Sequence, residues 1–222
     1  MWETDELGLA TWVAGDASWS LNARGGDAGI AVLGEDGQRL FEFAAVEDDQ
    51  LPVADEQFVR RDQWHVNFPQ GESSYALRMV FRPLQVDAMQ LVLESTVSIQ
   101  TSLLDTHPKI DLNIDCRDID SFVPDDPSGD NTLDTKGSAP ISVAKNRDVS
   151  IAVLLGPHDS PFTTNHSTDT LLRLRLFGDF LEKGVIRRAR PWVVIDRSGE
   201  TPSEEQLTEL YRKLCGSPLP LS

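Results

Sequence analysis

Hydrophobic and polar residues alternate with period two along most of the chain, and this alternation predicts strands. Ile30 and Val32 lead into Gly34-Glu35-Asp36-Gly37 and then Leu40, Phe41 and Phe43. This is a hairpin in which Asp36-Gly37 supplies the left-handed backbone that a tight turn needs. Upstream, Trp12 and Trp19 lie in two short candidate strands separated by Gly15-Asp16. The run Phe58 to Phe68 puts Trp64, Val66 and Phe68 on one face and His65 and Asn67 on the other. Pro69-Gln70-Gly71 turns the chain into a second run, where Tyr75, Leu77, Met79 and Phe81 oppose Ala76, Arg78, Val80 and Arg82 until Pro83. Met89 to Thr101 alternates longest, with Leu91, Leu93, Val97 and Ile99 opposite Gln90, Val92, Glu94, Thr96, Ser98 and Gln100. Its β-branched and Ser/Thr content argues against a helix, so it predicts a long strand with one wet face.

Ile110, Leu112 and Ile114 repeat the alternation, and Val149 to Leu155 is apolar on both faces, as a central strand would be. Thr170 to Phe177 and Val185 to Asp196 each read as one further strand. The stretch at about 116–137, with Pro124, Pro127, Gly129 and Gly137, reads as an acidic loop and the one plausible internal boundary. A helix is predicted at about 203–215. Thr201 or Ser203 caps it, Glu204 and Glu205 sit at the positive end of its dipole, and Leu207, Leu210, Tyr211 and Leu214 form its apolar stripe before Gly216 and Pro218.

About ten or eleven strands with hairpin-length connections and one helix predict a mostly all-β fold, an antiparallel two-sheet β-sandwich or supersandwich. The 222 residues fit one domain, 1–222. Over Phe58 to Ile195 the long strands with one polar face resemble the β-supersandwich of mutarotase-like and carbohydrate-active proteins. The resemblance is architectural and transfers no catalytic residue.

Charge removes some functions. Asp plus Glu number 36 against 20 Lys plus Arg, a formal net charge of −16. A nucleic acid or an anionic membrane would repel such a body, so neither is expected as a partner. High acidity suits solubility or cation binding. No window is long and apolar enough to span a bilayer as a helix, and the first residues lack the basic and apolar regions of a secretory leader. A soluble protein is expected, with the cytoplasm slightly favoured. Cys116 and Cys215 are isolated in sequence and read as buried structural thiols.

Four constellations could carry chemistry. Asp111, Asn113 and Asp115 share one face of a predicted strand, and oxygen ligands at that spacing suit Ca²⁺. The pattern departs from an EF-hand loop where Cys116 stands for glycine and Phe122 for the closing glutamate, and arginine pairing or solvation is the commoner fate of such a face. Asp125, Asp126, Asp130, Asn131 and Asp134 are turn-forming residues first and a hard-cation site second. His158, Asp159, His166 and Asp169 match no compact metal motif. The fourth is the polar face carrying His65, Asn67, Arg78, Arg82, Glu94 and Gln100, joined by His107. Planar polar groups suit sugar hydroxyls, and Trp64, Trp12 or Trp19 would offer an aromatic plane for the sugar C–H face.

The leading expectation is a carbohydrate-binding sandwich without catalysis, its ligand held by Trp64, His65, Asn67, Arg78 and Arg82. The enzymatic alternative is a mutarotase-like epimerase or a lyase using His65 or His107 with Glu94 as acid and base. The third is a structural module whose sheet edges pair with a protein partner or with a second copy. No cofactor is required, with Ca²⁺ the one candidate.

Overall fold

The computed structural model describes residues 1–124, 138–146 and 148–218. Its elements are β1 (Trp2–Glu3), β2 (Leu9–Ala14), β3 (Ala17–Gly25), β4 (Gly29–Leu33), β5 (Arg39–Ala45), β6 (Glu56–Arg60), β7 (Gln63–Phe68), β8 (Ala76–Val86) and β9 (Gln90–Gln100). They continue with β10 (Lys109–Asp115), β11 (Asp118–Phe122), β12 (Ile141–Asn146), β13 (Val149–Leu154), β14 (Thr164–Asn165), β15 (Leu171–Phe177), β16 (Ile186–Ala189), β17 (Trp192–Asp196) and α1 (Glu204–Gly216).

The strands form two antiparallel sheets. Sheet A runs β1-β2-β3-β4-β5-β10-β15-β14, and sheet B runs β11-β12-β13-β17-β9-β8-β7-β6, with β16 also on β9. The apolar side of each alternating run faces the other sheet. Trp19, Phe41, Phe43, Trp64, Phe68, Phe81, Leu112, Val153 and Leu174 belong to one buried cluster between the sheets. A second, smaller cluster lies on the outer side of sheet B. There Val92, Val143, Ala152, Leu154, Trp192 and Val194 meet Leu207 and Leu214 of α1. The architecture is therefore an all-β sandwich with one short C-terminal helix laid over half of one sheet. No described helix is long and apolar enough to cross a membrane.

Local chemistry explains most boundaries. Gly37 takes φ 79 in the β4–β5 turn, the backbone predicted for it. A Cβ at Gly25 (φ 70) would lie 2.0 Å from the Pro52 carbonyl oxygen, so the close crossing at the end of β3 admits only glycine. Helix α1 begins at a capping box. Ser203 Oγ accepts from Gln206 N, and Gln206 Oε1 accepts from Ser203 N.

Several expectations change. The Phe58–Phe68 run is a hairpin, β6 and β7, turned at Arg61-Asp62 with Arg61 at φ 60. No Gly, Asn or Pro marks that turn, so the sequence hides it. Val185–Asp196 is two strands broken at Arg190-Pro191, where the Pro191 carbonyl still accepts from Ser95 N. The face of β9 expected to be wet is largely covered, since Val92 lies under α1 and Glu94 and Thr96 are buried. Part of the acidic loop is strand β11, paired with β12. Its cation candidates Asp125, Asp126, Asp130, Asn131 and Asp134 lie outside the described residues. Cys116 is buried as expected, but Cys215 is exposed.

Candidate functional site

The outer face of sheet B is divided. Over β12, β13 and β17 it is apolar and capped by α1. Over β6, β7, β8 and the adjoining part of β9 no described element covers it, and polar side chains predominate. Strand register lays its side chains in rows. Glu56, Asn67, Arg78, Ser98 and Arg188 form one row, and Phe58, His65, Val80 and Thr96 the next. Arg82, Glu94 and Trp192 form a third, at the border with the covered half. Antiparallel pairing puts directly opposed residues on the same face, so each row is a line of neighbouring side chains.

The second row holds an aromatic pair. The Phe58 ring stacks on His65 with centroids 4.5 Å apart and planes 8° from parallel. His65 is only 7% exposed beneath it, whereas Phe58 is 38% exposed. An Arg78 guanidinium nitrogen lies 3.4 Å from His65 Nδ1. Arginine only donates, so that contact makes Nδ1 the acceptor and leaves the proton on Nε2. Nε2 is buried and has no hydrogen-bond partner among the described residues. Burial, then the charges of Arg78 and Arg60, push the His65 pKa below its ordinary value, so the imidazole stays neutral.

The flanking rows are hydrogen-bonded. Asn67 Nδ2 donates to Glu56 Oε2, and Arg188 Nε donates to Ser98 Oγ at 3.2 Å. Arg82 Nε donates to Asp62 Oδ2 at 2.9 Å. Glu94 accepts from Trp192 Nε1 at 3.0 Å and lies 3.9 Å from guanidinium nitrogens of both Arg82 and Arg190. Arg190 in turn donates to the Pro218 carbonyl at 2.6 Å and to the Leu214 and Ser217 carbonyls at the end of α1. Glu94 thus ties the open half of the sheet to the helix-covered half.

The structure gathers His65, Asn67, Arg78, Arg82 and Glu94 on one face. It does not bring the other expected residues there. Trp64 points the opposite way and is fully buried, against Phe81 at 5.3 Å and Trp2 at 5.6 Å. His107 is exposed in the β9–β10 loop beside Phe180. His65 and Glu94 are two strands and two residues apart, roughly 12 Å between Cα atoms by sheet geometry. Trp19 is buried in the core and Trp12 packs against it, so neither offers an open plane to this face.

Register sets the acidic face of β10 opposite the basic residues of β15. Asp111 is 4% exposed and takes two hydrogen bonds from Arg175, at 2.8 and 3.1 Å, while Arg173 Nε lies 3.4 Å from Asn113 Oδ1. The hydrogen bond to Asp111 raises the Arg175 pKa further. The cation neutralising Asp111 is a guanidinium placed opposite it by register. Asp115 is exposed at a groove of about 480 Å³ with Asp36, Arg117 and Asp148. No three described His, Cys, Asp or Glu residues are placed to hold a metal ion. Asp159 is buried and accepts from Arg190 N, with its pKa raised by burial. His166 pairs with Thr164, and His158 and Asp169 are exposed.

Sequence reasoning missed Phe58, and the hairpin is the reason. Counted along one uninterrupted run, Phe58 falls on the side of Trp64, Val66 and Phe68. The two-residue turn at Arg61-Asp62 pairs Phe58 with His65 and moves it to the polar face. A period break at Arg60-Arg61-Asp62, three charged residues in succession, was the available signal.

No family model matches the chain, and no curated protein matches it. Among solved structures it is similar to a "Putative kojibiose phosphorylase from human microbiome", with 10% sequence identity and a TM-score of 0.47. The alignment covers 98% of this chain and 28% of that one, so the chain spans little more than a quarter of that protein's length.

Proposed function

We propose that the open polar face of sheet B binds a carbohydrate-type ligand without transforming it. The observation carrying this reading is the Phe58 ring, held flat by stacking on His65 and exposed on a face otherwise lined by Arg78, Asn67, Glu56 and Arg188. A saccharide presents an apolar C–H face and a ring of hydroxyls, and this surface offers a plane for the first and planar donors and acceptors for the second. The acid–base alternative has weaker support, because Glu94 is engaged by Trp192 and lies far from His65, and His107 is on another loop.

A ligand that binds only the native state raises the melting temperature by mass action. A thermal-shift screen against neutral and uronic oligosaccharides is expected to give a shift with at least one class. Phe58→Ala and Arg78→Ala should each remove that shift while leaving the unliganded melting temperature nearly unchanged. A flat screen, or binding indifferent to Phe58→Ala, would sink the reading. Turnover of the bound sugar would move it to the enzymatic alternative.

A further inference from the structure

Sheets end in strands whose outward N–H and C=O groups are unpaired, and the four ends of this sandwich are not alike. On sheet A, β1 and β14 are two residues each, too short to offer a ladder. On sheet B, β11 and β6 are five residues each. If β11 paired antiparallel with its own copy about its centre, Asp120 would face Asp120, and like charges directly opposed are destabilising. The β6 sequence Glu56-Gln57-Phe58-Val59-Arg60 behaves in the opposite way. Paired with a second copy about Phe58, it sets Glu56 against Arg60 and Arg60 against Glu56, with Gln57 against Val59 on each side.

Backbone geometry selects the same register. The two-residue turn makes Arg60 and Gln63 a hydrogen-bonded pair, and alternation extends this to Phe58 with His65 and Glu56 with Asn67. The N–H and C=O groups of Gln57 and Val59 therefore point to the free edge. A two-fold axis at Phe58 joins Gln57 of each copy to Val59 of the other, giving four ladder hydrogen bonds. The side chains leave that edge clear. Gln57 turns inward and accepts from Gly8 N at 2.9 Å and Trp64 Nε1 at 3.3 Å. Phe58 leans over His65, and Val59 is 42% exposed.

We propose that β6 is an interface for a second copy of this chain, joining two B sheets antiparallel through the Glu56–Arg60 pairs. The proposal is independent of any ligand. It would place the two polar faces side by side in one continuous sheet, with both Phe58 platforms at the centre. The charge of −16 on each copy opposes association at long range. At physiological salt that repulsion is screened beyond about 8 Å, while the paired side chains are in contact.

The test is analytical ultracentrifugation of the whole chain over a range of concentrations at physiological salt, with circular dichroism to confirm folding. The wild type is expected to show a reversible monomer–dimer equilibrium. Arg60→Glu sets glutamate against glutamate twice and should weaken the dimer about tenfold or more. The double exchange Glu56→Arg with Arg60→Glu restores opposite charges and should recover most of the loss. Val59→Pro removes an N–H that serves only the free edge, so it should abolish dimerisation while the β6–β7 hairpin stays intact. A strictly monomeric wild type would overturn the proposal. So would a dimer indifferent to Val59→Pro, or a double exchange no better than Arg60→Glu alone.

Discussion

Two halves of one sheet face follow opposite rules. Over β12, β13 and β17 the outward residues are Val143, Ala152, Leu154 and Val194, and α1 covers them with Leu207 and Leu214. Over β6, β7 and β8 the outward residues include Glu56, Phe58, His65, Asn67, Arg78, Val80 and Arg82, with no described element above them. Apolar area left in water is costly and polar groups buried without partners are costly, so composition and cover must change together. They change at Glu94, Trp192 and Arg190, where the carboxylate accepts from the indole N–H and lies 3.9 Å from a guanidinium that donates to the last carbonyls of α1. The half without a described cover is therefore the more polar one, and it is the face to which the proposed ligand is assigned.

Substitutions can break or sharpen this contrast. The largest effect separates the two aromatic neighbours in the β6–β7 hairpin. Trp64→Ala empties a fully buried site and should cost about 3–5 kcal/mol in chemical denaturation, whereas Phe58→Ala should cost under about 1 kcal/mol. Equal losses would mean that Phe58 is a core residue and not a platform. Next comes a comparison across the seam. Leu214→Ala should destabilise by about 2–4 kcal/mol because α1 holds the covered half, while Arg78→Ala should change stability by less than about 1 kcal/mol. Smaller again, Ser203→Ala removes the cap of α1 and should cost about 1 kcal/mol, a shift readable in the midpoint of denaturation.

The smallest expected effect is a pH dependence set by His65 on the open half and by Asp159 elsewhere. The native pKa of His65 lies below its ordinary 6.5 because of burial and nearby arginines. As pH falls below 6.5 the unfolded chain takes up the proton and the native state does not, so stability is lost until the native pKa is passed. His65→Gln should flatten that limb of a melting-temperature profile. Asp159 acts with the opposite sign at lower pH, because burial raises its native pKa above the ordinary 3.8. The folded state gains from it as pH falls through that raised value toward 3.8. An unchanged acid limb in His65→Gln would show that another group controls it.

Period-two alternation determined most of the strands, and capping chemistry determined the helix, because both signals are local. Gly37 in its turn, Leu171–Phe177 as strand and Ser203 before α1 all follow from neighbours within a few residues. The set His65, Asn67, Arg78, Arg82 and Glu94 was legible for the same reason, since alternation along each strand fixes a face. Only the tertiary structure decided what each face meets. Asp111 belongs to an acidic face in the sequence, and only the fold shows that β15 sets Arg175 opposite it; Val92 and Glu94 read as wet, and α1 and Trp192 cover them. The shift from Trp64 to Phe58 has the same origin. A strand pattern states which residues share a side, but a turn without glycine or proline reverses the count unseen, and pairing partners many residues away choose which side is water.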